Sequence, residues 1–258
     1  MGRAKKTLLH ILPALLFWLG VWQLCALLVD WHVNGRGNEL LLPYPASVWR
    51  ALTAMLGTGA FWGTVSASLA RIAVGLACGI LLGAALASLT CASSWADRLL
   101  SPAIRVVRAA PVASFILLVL LWTGRSRVPA VISALMVLPV VWDSLSQGIR
   151  SVDEKLLELA RAYRFSHTKT LRLLYLPSLR PFFLSALTTS TGLAWKSGVA
   201  AEVLCLPEPS LGQRIYYTKY YLDIPELFAW TAVVVTLSLL LERALRGLLS
   251  RWKGGGSP

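Results

Sequence analysis

Four ionisable residues stand within or at the ends of long apolar segments of this chain of 258 residues: Arg71, Asp143, Lys196 and Glu202. A charge at membrane depth costs several kcal/mol unless it faces water or a partner. The chemistry open to such groups is electrostatic, because each can attract an ion of opposite sign or pair with a neighbour. Arg71 and Asp143 fall near segment ends, where snorkelling or an interfacial ion pair is the simpler interpretation.

Lys196 lies deeper in its apolar segment, between Trp195 and Ser197, and Thr189 is one of four consecutive hydroxyl residues one to two turns earlier. Glu202 stands six positions further on and occupies a largely different helix face. We hypothesise that Lys196 faces a solute path and attracts an anion, with the other four residues as further candidates. A structural ion pair of Lys196 is the alternative.

Motifs for enzymatic chemistry are missing from the sequence. There is no GxxxxGK[ST] loop to hold ATP phosphates, no HExxH and no GxSxG. The three histidines are dispersed, and the four cysteines stand singly without CxxC spacing, so we expect no metal site. We therefore predict no catalytic residue and no cofactor bound by this chain.

The elements that hold these residues are strongly apolar. The composition is 56% apolar and only 14% charged, which indicates an all-α integral membrane protein. We predict one transmembrane domain, residues 1–258, in which Pro111 and Pro139 favour kinks of the third and fourth spans. The six predicted spans cover roughly residues 7–29, 65–89, 104–122, 128–148, 182–204 and 227–249.

The basic residues predict the orientation of these spans. The net charge of +13 could suggest nucleic acid, but arginine and lysine interleaved with apolar runs are typical of membrane topology signals. With the N-terminus inside, the inner segments hold 17 arginines and lysines and the outer segments six. We therefore expect both termini and the segment 151–176 in the cytoplasm, with lipid rather than nucleic acid around the chain.

Segment 151–176 is a charged interruption between two spans. Ser151 and Glu154 form a capping box that can begin a helix, and Ser166 can begin a second one. Pro177 then suits the first turn of the fifth span. One apolar stripe runs along the first helix: Val152, Leu156, Leu159 and Tyr163. Such a helix either docks on a partner that stays in water or rests on lipid headgroups.

The same segment resembles the cytoplasmic loop of membrane permease subunits in bacterial ATP-binding-cassette importers, whose pattern is E-A-A, three residues, G, nine residues, I-x-L-P. Glu158, Ala160, Leu176 and Pro177 match in register, with Leu174 in the isoleucine position. Residues 41–48, 68–71 and 192–198 look like the nitrate, sulfonate and taurine branch of the family. Two positions depart from the pattern: Leu159 replaces an alanine, and Arg164 occupies the glycine position.

The resemblance implies a type I importer permease in the bacterial inner membrane. In such a transporter two copies of the permease enclose one path, two ATPase subunits bind ATP, and a solute-binding protein delivers a small, here anionic, solute. The loop becomes a coupling helix on the ATPase, which assigns coupling to one set of residues: Glu158, Leu159, Ala160, Tyr163, Arg164, Leu176 and Pro177. The alternatives are a stand-alone channel or secondary transporter, and a membrane scaffold without transport.

The family's glycine suggests a left-handed turn, which costs a non-glycine residue about 1 to 2 kcal/mol. We expect the turn at Arg164 to be re-formed with negative φ. The alternative is that Arg164 keeps the strained turn and gains an acidic contact on the ATPase.

Small residues recur every four positions on the second span, at Gly75, Gly79 and Gly83. Two helix backbones can approach closely along such a stripe. We expect it to seat the second span against a neighbour in the same chain, and a contact between two copies is the alternative.

Overall fold

A computed structural model describes residues 2–32 and 38–253, and every regular element in those ranges is a helix. The predicted all-α fold is therefore observed in the described part. The helices are α1 Gly2–His32, α2 Asn38–Leu41, α3 Pro45–Leu56, α4 Gly59–Ala92, α5 Ser94–Ala109, α6 Val112–Trp122, α7 Val128–Arg150, α8 Glu154–Ala162, α9 His167–Thr170, α10 Leu176–Cys205, α11 Leu211–Tyr220 and α12 Ile224–Lys253; a π-helical turn, Leu171–Tyr175, joins α9 to α10.

Helix α7 forms the centre of the bundle, with α4 and α10 packed along it. Its side chains Ile132, Val137 and Val141 are fully buried, as a helix with apolar residues on most faces requires. Helix α12 packs on α10, where the Trp195 indole donates a hydrogen bond to the Val234 carbonyl at 3.2 Å. The core therefore lies between α4, α7, α10 and α12.

The glycine stripe of α4 meets α7 of the same chain. A Cβ atom added to Gly79 would lie 2.7 Å from the Val137 Cβ, and one added to Gly83 would lie 2.8 Å from the Val141 Cβ. Gly75 faces Ala130 in the same way. The stripe thus allows the two backbones to approach closely within one copy.

In the described part of the chain, three single helical segments are long and apolar enough to cross a membrane: Gly59–Ala92, Val128–Arg150 and Ile224–Leu249. They contain the predicted second, fourth and sixth spans. Helix α10 contains the predicted fifth span and has 30 residues, but its hydroxyl residues and Lys196 make it less apolar than these three segments. Of α1, the part Leu16–His32 counts as a shorter apolar helix. The number six thus stays a prediction.

The predicted third span, 104–122, is not one continuous helix but covers parts of α5 and α6, which together are long and apolar enough to cross a membrane. The chain bends by 109° between α5 and α6. Ala110 and Pro111 both adopt extended backbone, with ψ of 144° and 129°. The proline ring disfavours helical geometry at the preceding residue, so Pro111 ends α5 instead of kinking one span. Pro139, by contrast, lies inside α7, which continues on both sides of it.

Candidate functional site

Helix α8 begins after Asp153, whose Oδ1 accepts a hydrogen bond from the Lys155 amide at 2.9 Å. The predicted capping box of Ser151 and Glu154 is therefore wrong. Ser151 still belongs to the end of α7, where its hydroxyl donates to the Gly148 carbonyl at 2.8 Å. The N-cap is Asp153 and not Ser151, because the Ser151 hydroxyl is already bonded to α7 and Asp153 is the next polar side chain that can accept a backbone N–H of α8.

The apolar stripe of α8 is divided between the protein interior and its surface. Val152, two residues before the helix begins, is buried, and Ala160 is the buried residue of the helix itself. Leu156, Leu159 and Tyr163 have 45%, 53% and 71% of their surface exposed. A row of large exposed apolar side chains on a short polar helix is typical of a docking surface.

The turn after α8 is left-handed. Arg164 has φ of 51°, so the expectation of negative φ is wrong. The Phe165 amide donates to the Ala160 carbonyl at 2.9 Å, and the Arg164 amide donates to the Arg161 carbonyl at 3.0 Å. These two bonds form a Schellman motif, which satisfies the last carbonyls of α8 and offsets the strain that glycine would avoid. Arginine thus keeps the geometry of the family's glycine position.

The second half of the loop is continuous with a long helix. The Ser166 hydroxyl accepts from the Lys169 amide at 3.3 Å, which confirms Ser166 as an N-cap. From there α9, the π turn and α10 run without a break from His167 to Cys205. Pro177 lies in the first turn of α10, as expected, and the π turn joins this helix directly to α9. Its neighbour Leu176 is exposed.

Helix α10 separates the predicted path residues. Thr189 and Lys196 are exposed and lie on one face, together with Ser185 and Ala200 at matching helical spacing. Within the described residues, no carboxylate lies at ion-pair distance from Lys196. This face, defined by Ser185, Thr189, Lys196 and Ala200, is called the Lys196 face below.

The other three candidates point into the bundle. Trp195 and Ser197 are buried among the helices. Glu202 is fully buried and is held by two elements: its Oε2 accepts from the Ser68 hydroxyl at 2.8 Å and from the Gly212 amide at 3.2 Å. The structure therefore brings Thr189 and Lys196 together and places Trp195, Ser197 and Glu202 away from them.

Glu202 belongs to a buried polar cluster with Ser68 and Arg71, called the Glu202 clamp, which spacing along the sequence did not reveal. Arg71 lies with its Nη1 3.5 Å from the Glu202 Oε1 and donates to the Pro209 carbonyl at 2.7 Å. Ser68 also accepts from the Leu211 amide at 2.9 Å. These contacts join α4, the end of α10 and the start of α11, and they account for two of the four ionisable residues. Asp143 pairs with Arg108 at 2.9 Å, so of the two interpretations of its position the ion pair is the one observed.

Residues 79–253, more than half of the chain, match the family described as the binding-protein-dependent transport system inner membrane component. The chain belongs to this family. It is therefore a multi-pass transport permease of the bacterial inner membrane and not an enzyme, since ATP hydrolysis in such systems belongs to a separate subunit. The resemblance seen in the loop motif is confirmed.

Relatives of this permease come from several bacteria. It is 27% identical to the taurine transport system permease protein of Escherichia coli K12, over 92% of this chain and 90% of the relative. A permease assigned to aliphatic sulfonate transport in the same organism is 30% identical over 78% of this chain and 75% of its own length. The bicarbonate transport system permease protein of a Synechocystis strain is 26% identical over 87% and 85%.

The fold of the permease is also similar to a solved structure, described as an amino acid ABC transporter with histidines. The TM-score is 0.62 at 19% identity, and the match covers 78% of this chain and 97% of that one. At this identity the likeness concerns the fold. The family as a whole implies two kinds of partner for the permease, an ATPase subunit and a solute-binding protein.

Proposed function

We propose that two copies of this permease enclose one path for a small anion and that the Lys196 face lines it. The observation that carries this proposal is an exposed lysine, without an acidic partner in the described part of the chain, between the buried residues Trp195 and Ser197 of a long helix. Lipid contact is costly for such a charge, whereas a water-filled path between two copies hydrates it and lets it attract anions.

The solute class follows from the relatives and from this charge. The similar permeases are named for taurine, aliphatic sulfonates and bicarbonate, which all carry an anionic oxygen group. A lysine ammonium attracts such a group without demanding one geometry, because it is a compact point charge. We therefore propose a sulfonate-like solute, delivered on the outer side by a solute-binding protein.

The coupling step is proposed for α8. Leu156, Leu159 and Tyr163 would enter a cleft on the ATPase, with Glu158, Ala160 and the Arg164 turn setting the position of the helix. Leu176 and Pro177 lie where the loop becomes α10, so a movement of the loop reaches the Lys196 face along one continuous helix. The basic inner segments support placing α8 and both termini in the cytoplasm, with ATP bound only by two copies of the ATPase.

Uptake of labelled taurine and ethanesulfonate by proteoliposomes tests the proposal. The vesicles hold the permease, its ATPase and the binding protein. Lys196→Met should lower kcat/KM about tenfold or more, equivalent to about 1.4 kcal/mol, and Lys196→Arg should restore most of it. Lys219→Met, which removes an exposed lysine from α11, is the matched control.

Two results would overturn the proposal. Transport by Lys196→Met at the wild-type rate and KM would remove the role of Lys196. Solute movement through vesicles that hold the permease alone would favour the stand-alone channel or secondary transporter.

A further inference from the structure

A large groove opens at the loop end of the bundle, between α4, α7 and α10. It has a volume of 910 Å³, near the upper end of the roughly 300–1,000 Å³ of ligand pockets in proteins. Arg180 and Phe183 line it from α10, on the side roughly opposite the Lys196 face. The groove is therefore separate from the proposed solute path.

The wall of the groove is mainly apolar. Leu145 and Ile149 contribute from α7, Ala84 from α4, and Leu179 and Phe183 from α10. A small hydrophilic anion would gain nothing from these surfaces, whereas a hydrocarbon chain would remove them from water. The wall thus favours an occupant with a long apolar part.

The charged side chains that line the groove are basic. Arg172 and Arg180 line it, and no acidic side chain is among the lining residues. Arg172 stands on the π turn, where the helix leaves the loop, and is exposed. Basic pockets between membrane helices suit anionic lipid headgroups, whose phosphate accepts from guanidinium groups.

We propose that this groove seats an anionic phospholipid, with one acyl chain against the apolar wall and the phosphate at Arg172. The bound lipid contacts Leu176 and Pro177, because both residues line the same groove. It therefore lies against the junction between the coupling loop and α10, where its presence sets how far the two can move. This inference goes beyond the solute path and needs only that the bundle lies in a bilayer.

Native mass spectrometry of the purified full-length permease tests this site, with phosphatidylglycerol and phosphatidylcholine as the two probe lipids. The wild type should retain phosphatidylglycerol preferentially. Arg172→Gln should weaken its binding about fivefold, the effect of one basic residue near an anionic lipid. Ser88→Trp, which leaves the charge unchanged, should weaken it as well, because Ser88 is an exposed residue of the groove lining and a larger side chain fills the space.

Arg243→Gln is the matched control, since Arg243 is exposed on α12 and does not line the groove. It should bind phosphatidylglycerol like the wild type. Equal retention of the two lipids by the wild type, or an equal loss in Arg172→Gln and Arg243→Gln, would overturn the proposal. Because binding is measured without ATPase or solute, its result is independent of the transport assay.

Discussion

The two ends of α10 are held in different ways. At its C-terminal end the Glu202 carboxylate is buried within the chain: its Oε2 accepts from the Ser68 hydroxyl and the Gly212 amide, and Arg71 lies 3.5 Å from its Oε1. At its N-terminal end the loop exposes Leu159 and places Arg164 in a left-handed turn. One end is complete in a single copy, whereas the other presents surface that only a partner can bury.

This difference indicates which end of α10 a bound partner can displace. Regions with few buried contacts move at low free energy, whereas a buried, hydrogen-bonded cluster moves as part of the core. A partner bound to α8 would therefore displace the N-terminal end of α10 around an anchored C-terminal end.

The largest effect is expected at the anchored end. Glu202→Ala removes the acceptor of Ser68 and Gly212 and leaves Arg71 without its carboxylate, so it should destabilise the fold by about 3–5 kcal/mol. Thermal unfolding of the purified permease measures the loss. Glu158→Ala, at an exposed site of α8, should stay within about 0.5 kcal/mol of the wild type. Equal unfolding of the two variants would contradict the clamp.

The second effect concerns the packing of α4 on α7. Gly79→Leu places its Cβ 2.7 Å from the Val137 Cβ, and this overpacking should cost about 1–3 kcal/mol or more. At Gly63 on the same helix an added Cβ meets nothing within 4 Å, so Gly63→Leu should be neutral or slightly stabilising. Unfolding curves of both variants check the prediction, and a stable Gly79→Leu protein would show that the two helices can separate without cost.

At the loop end the expected effect is on association. Leu159→Asp should weaken binding of the ATPase subunit about thirtyfold, as loss of a hot spot of about 2 kcal/mol does, while unfolding stays unchanged. Leu222→Asp makes the same change at an exposed site beyond α11 and should bind normally. Binding of the purified subunits measures both, and unchanged affinity of Leu159→Asp would favour α8 as a helix that rests on lipid headgroups.

The smallest effect is expected at the left-handed turn. Arg164→Gly should stabilise the fold by up to about 1 kcal/mol, because glycine adopts positive φ without strain and loses part of that gain through its freedom in the unfolded chain. Arg161→Gly, inside α8, should cost about 1 kcal/mol. ATPase association should be intact or improved in Arg164→Gly, and a loss of binding would show that the arginine itself contacts the partner.

Local sequence signals predicted a helix end correctly where a single side chain determines that end. Ser166 is the N-cap that its type and position indicated. At Ser151 the same reasoning was wrong, because its hydroxyl is already used by the preceding helix. At Pro111 the proline was read as a kink, although its effect on Ala110 ends the helix. Both errors concern which of two adjacent helices a residue belongs to.

Contacts between distant residues could not be predicted from spacing. Ser68 and Glu202 are 134 positions apart, so no helical periodicity connects them. The prediction therefore grouped Glu202 with Lys196, its neighbour in the sequence, although the structure pairs it with α4. The left-handed turn at Arg164 was only the alternative, because its strain is offset by two backbone hydrogen bonds that residue types do not reveal.

The central claim is that α10 carries motion from the loop to a water-filled path. Lys196→Cys in a background without native cysteines tests it, with a charged, water-soluble thiol reagent applied to the complete transporter. The account predicts that this cysteine is labelled and that ATP binding changes the rate, whereas Leu81→Cys, on the exposed apolar side of α4, stays unlabelled. Absence of labelling at position 196 in both nucleotide states would contradict it.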